Sequence, residues 1–175
     1  MAIFDFNKKR IGKTEFTKDP EAFIRFLREN DEDLAGFGQG ALIAAGTEVI
    51  NPLLKILTNR NEDIKVRRRA GNVLAKIGKS SVIPLLEALK KQNMKSKTSA
   101  ETVGLIAAAL GGTGKEALEP LIHALGSVQF QVRFGAAVAL VQSGDAQAIS
   151  AVREAAIHGY TGDFEMFRMI LGKNW

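Results

Sequence analysis

The residues able to do chemistry are few in this sequence, and their spacing decides what they can do. Two histidines are present, His123 and His158, too far apart to form a local metal pair. No cysteine occurs, so thiolate ligands, Cys nucleophiles and disulfides are excluded. Acids cluster as Asp31, Glu32, Asp33 and as Glu62, Asp63. Each cluster precedes an apolar-periodic run, where negative charge suits a helix N-terminus better than acid–base work. No metal site, cofactor or catalytic residue is expected.

Two glycine clusters resemble phosphate loops only superficially. GFGQG (Gly36–Gly40) lies within a helical phase, not between a strand and a helix. GGTG (Gly111–Gly114) falls at a turn between helices. Both are expected to be structural.

Charge is unevenly spread. The chain carries +5, but Lys55–Lys97 holds twelve basic and three acidic residues, a net of +9. The remainder therefore carries −4. Arg67, Arg68 and Arg69 form the densest run. Such asymmetry suits an anionic partner, with Arg68, Arg69, Lys90 and Lys91 as the candidate contacts. However, the span holds no aromatic residue to stack a base, and a solvated basic surface explains it as well.

The elements that must position these residues come from a repeat. Gly46, Gly78, Gly114 and Gly144 recur at intervals of 32, 36 and 30. Six residues after them stand Pro52, Pro84, Pro120 and Ser150. Apolar residues follow at four, seven, eight and eleven: Ile50, Leu53, Leu54, Leu57 in the first unit and Ala148, Ala151, Val152, Ala155 in the fourth. That is one face of an α-helix, with proline early, where its missing N–H costs least. A second helical stripe precedes each glycine, as in Val66, Ala70, Leu74 and Val132, Ala136, Leu140. Each unit is helix, glycine turn with positive φ, helix. One hairpin cannot bury both faces, but stacked hairpins can.

The predicted fold is therefore all-α, an α-α superhelix of about four hairpins near 31–61, 62–97, 98–127 and 128–159. Caps are expected over 19–30, with Asp19 as N-cap and Phe23, Phe26 and Leu27 buried, and over 162–172, with Phe164, Phe167, Ile170 and Leu171 inward. Residues 1–18 are expected to be a tail and Gln92–Ser99 an insertion. MAIFDFNKKRIGK lacks a signal-peptide pattern, and no apolar run reaches a membrane span, so no membrane partner and a cytoplasmic location are expected.

VRRRAGNVLAKIGKSSVIPLLEALK (Val66–Lys90) and QVRFGAAVALVQSG (Gln131–Gly144) resemble HEAT-like repeats of the phycobilin-lyase type. The resemblance implies fold and leaves function open. It implies that Arg67 and Arg133 serve packing between repeats. HEAT-repeat hydroxylases use His-Glu pairs for iron, and no such dipeptide occurs here.

The resulting expectation is a non-catalytic scaffold that binds a protein or peptide on the concave face. Nine residues past the glycines, Lys55, Glu87, His123 and Arg153 form a row of mixed sign. Lys90 lies one turn on from Glu87, and Ile83 and Ile149 should be partly exposed beside the row. The alternatives are a nucleic-acid-binding module using the basic span and, by resemblance, a subunit of an enzyme of the chromophore-lyase type.

Overall fold

A computed structural model describes residues 20–93, 96–159 and 162–175. The expected tail over 1–18, and Asp19, the expected N-cap of the first helix, lie outside the described residues. The architecture is all-helical. Its helices are α1 (Pro20–Phe26), α2 (Glu32–Ala45), α3 (Ile50–Thr58), α4 (Ile64–Ile77) and α5 (Lys79–Lys90). They continue with α6 (Lys97–Gly111), α7 (Leu118–Ala124), α8 (Phe130–Ser143), α9 (Ala146–His158) and α10 (Phe164–Leu171).

Two layers result. The first helices of the hairpins, α2, α4, α6 and α8, pack one on the next. The second helices, α3, α5, α7 and α9, lie beside them and fill the gaps between successive first helices. The core runs continuously through the stack, from Ile24 and Leu27 to Phe167 and Leu171.

Local chemistry sets the helix starts. Asp31 accepts from the amides of Asp33 and Leu34, at 2.9 and 3.1 Å. Asp63 accepts from Lys65 at 2.7 Å, and Asp145 from Gln147 at 2.8 Å. The acid clusters thus cap helices, satisfying amides that have no partner within the helix. Ser96 does the same for α6, which begins inside the expected insertion, accepting from Ser99 at 3.2 Å.

Two glycines permit close packing. A Cβ on Gly38 would stand 2.6 Å from the Phe26 Cβ, where α1 crosses α2. One on Gly112 would stand 2.9 Å from the Ala75 Cβ, at the approach of α6 to α4. Gly38 and Gly112 are therefore packing positions, whereas a Cβ on Gly36 or Gly40 would meet nothing within 4 Å.

All four repeat glycines have positive φ, but their ψ values divide them. Gly46, Gly78 and Gly114 have ψ of −127°, −136° and −171°, a region open essentially to glycine alone. Gly144 has φ 69° and ψ 5°, an ordinary left-handed turn. After it, Asp145 is spent as an N-cap and α9 begins one residue later than α5 does. The fourth unit is therefore out of register with the sequence count by one. In the first three units the residues three, seven and eleven past the glycine, within or just beside α3, α5 and α7, are buried: Val49, Leu53, Leu57; Ser81, Leu85, Leu89; Ala117, Leu121, Leu125. In α9 they are four, eight and twelve past: Ala148, Val152, Ala156.

The ends also correct the expected burial. Ile24 is buried in α1, while Phe23 and Phe26 are half-buried and meet Phe37 edge-on. Met166 is buried in α10, while Phe164 is exposed and meets Trp175 edge-on at 5.3 Å. Ile170 is half-buried against the core.

Among the described residues, Glu32–Thr58 is long and apolar enough by composition to span a membrane, contrary to the apolar-run count. Here Gly46 turns it, and Leu42, Leu53 and Leu57 are fully buried in the core.

Candidate functional site

Arginines fasten successive layers, and this fixes which basic residues remain at the surface. Arg67 is almost wholly buried. Its guanidinium donates backward to the Leu57 carbonyl at 3.0 Å, and forward to Glu101 at 3.0 Å and Thr102 Oγ1 at 2.7 Å. Arg133 repeats this pattern higher in the stack. It donates backward to the Ser127 carbonyl at 2.8 Å and forward to both carboxylate oxygens of Asp163. Helix α10 thus occupies the place of the next first helix, held by the same device.

Arg69 corrects an expectation. It is buried, and it donates to the carbonyls of Leu27 and Glu29 and to Glu32, each at 2.8 Å. Its donors are turned into the protein, so it is not a surface contact for an anion. Arg28 and Glu62 pair nearby at 2.6 Å, and this hydrogen bond raises the Arg28 pKa above its ordinary value. Arg60 donates to Ser99 at 2.8 Å. Arg68 is exposed on α4, whereas Lys90 and Lys91 are exposed at the end of α5. The described part of the basic span is thus divided between both layers and partly used internally.

The second helices carry the mixed row. Between α3 and α5 lies a groove of about 610 Å³, edged by Lys55, Glu87 and Lys91. Between α5 and α7 lies a second, of about 700 Å³, edged by Glu87, Lys90 and His123. Ile83 lines both and is 59% exposed. The Lys90 ammonium sits 2.6 Å from Glu87. The structure therefore brings Lys55, Ile83, Glu87, Lys90 and His123 onto adjoining grooves.

Arg153 does not join them. Between α7 and α9 a third groove, of about 690 Å³, is lined by Ile122, Leu125, Gly126, Ala151, Glu154, Ala155 and His158. The one-residue shift of α9 puts Glu154 where the count placed Arg153. Ile149 is half-buried, partly exposed as expected, with its buried side against the core. The missed signal was the Gly-Asp pair at 144–145: an aspartate after the turn glycine announces an N-cap and one more residue before the helix. His158 ends α9, with its Nε2 3.7 Å from Glu154. Among the described residues no group of three His, Asp or Glu could hold a metal.

Residues 132–158, which run through α8 and α9, match the PBS lyase HEAT-like repeat family. The chain carries a HEAT-like repeat. No curated protein matches the chain. The HEAT-like match falls on the fourth hairpin, whose alanine-rich stripe is the weakest version of the internal repeat. The arginine bracket joins that hairpin to the others, since Arg133 lies inside the matched segment and works as Arg67 does.

Proposed function

We propose that this HEAT-like stack is a non-catalytic scaffold that binds a protein or peptide along its second helices. The observation that carries this reading is Ile83. A large aliphatic side chain stands exposed between two grooves, ringed by Lys55, Lys90, Glu87 and His123. An apolar centre with a polar rim of mixed sign suits a protein surface. It suits a phosphate backbone poorly, because Glu87 sits in both grooves.

Affinity purification of the tagged chain from its own cells, with nuclease and a salt series, tests the reading. A protein partner should survive nuclease, be lost with Ile83→Asp and be kept with Arg68→Glu. Loss on nuclease treatment, with a steep fall in binding as salt rises, would instead establish the nucleic-acid alternative.

A further inference from the structure

The three grooves on the second-helix face differ in charge. The first is edged by Lys55, Lys91 and Glu87, and the second by Lys90 and Glu87. The third has no lysine or arginine in its lining; Glu154 is its carboxylate, with the His158 Nε2 3.7 Å away. Its floor also differs. Gly126 stands where Thr58 and Lys90 stand in the equivalent places of α3 and α5. With the register shift included, Ala151 stands where the other units have proline. The result is an open apolar trough walled by Ile122 and Leu125, with small residues opposite.

We infer that the α7–α9 groove is a separate subsite for a basic, apolar peptide segment: an aliphatic or aromatic side chain in the trough, next to a lysine or arginine facing Glu154. The inference rests on the reading of the second-helix face as a peptide-binding surface, and it adds which partner chemistry that face selects and at which end. The trough supplies apolar contact from Ile122, Leu125, Ala151 and Ala155, and its polar side chains are Glu154 and His158. A cation beside it meets the Glu154 carboxylate, while an acidic residue there would face like charge. Because lysines edge the other two grooves, a segment crossing the whole face runs from an acidic end at α3 to a basic end at α9.

The test is selection of short random peptides displayed on phage against the purified full chain. Amide shifts are then mapped with the best binder. Enriched peptides should pair a Leu, Ile, Met or Phe with a nearby Lys or Arg. Binding should move the amides of Gly126, Ala151 and Ala155. Glu154→Lys, an exposed change that should not disturb folding, should weaken these peptides about tenfold. Ala155→Leu should block the trough, with circular dichroism confirming the helical content. Peptides that map to Ile83 instead, or that are acidic, or that ignore Glu154→Lys, would overturn the inference and leave the broader reading standing. Peptides that map to none of the three grooves would overturn both.

Discussion

Removing the Arg67 guanidinium would leave the buried Leu57 carbonyl without its donor and the Thr102 hydroxyl with only its own bond to the Thr98 carbonyl. Buried polar groups stripped of partners cost ~1–3 kcal/mol each. Arg67→Ala should therefore destabilise by about 3 kcal/mol in urea unfolding. Lysine should not rescue it, because one ammonium cannot span the three acceptors of a planar fork. Arg68→Ala, one position on and exposed, should stay within about 0.5 kcal/mol of the parent. Ser81 is the opposite case. Among the described residues its buried hydroxyl has no hydrogen-bond partner, at a position that holds Val49 and Ala117 in neighbouring units. Ser81→Ala should raise stability by about 1 kcal/mol. The turn glycines give a third test at this scale. Gly144→Asn should be cheap, because asparagine tolerates the left-handed region. Gly78→Asn, at ψ −136°, should cost ~1–3 kcal/mol. Equal costs at both positions would contradict the two turn types.

At the scale of the element, α9 is where sequence and structure part. The glycine-to-proline interval located α3, α5 and α7, because those turns open directly into the following helical segment. Ser150 in the proline place already marked the fourth unit as different. A six-residue interval from Gly144 holds only for the same turn, and Asp145 changes the turn. The row of Lys55, Glu87 and His123 was legible for the same reason that Arg153 was not. Arg67 and Arg133 were placed correctly in packing, but Arg69 was not. Its partners, the Leu27 and Glu29 carbonyls, follow α1, and nothing in the local sequence around Arg69 announces them. The α9 stripe also has an energetic consequence. Ala148, Val152 and Ala156 fill places held by leucines or other residues in the remaining units, and each missing CH₂ forgoes ~0.8 kcal/mol of burial. Amide hydrogen exchange should therefore be faster in α9 than in α5. Equal protection in the two helices would contradict a loosely packed fourth hairpin.

The whole molecule has two helical layers, and they divide the basic residues between them. Arg67 and Arg69 tie first-layer helices to their neighbours, and Arg68 faces outward from the same helix. Lys55, Lys90 and Lys91 edge grooves on the second layer, beside Glu87. A net charge of +9 in the sequence therefore does not become one cationic face among the described residues. Among the described residues the second layer carries adjoining grooves, with Ile83 between the first two and Glu154 in the one toward α9. On the proposed reading this layer is the binding face. Photo-crosslinking from single sites tests it most directly, with a benzophenone side chain at position 83 in one protein and at position 68 in another, in extract from the chain's own cells. A discrete crosslinked protein from position 83, and none from position 68, is the expected result. Crosslinks confined to position 68 would contradict it.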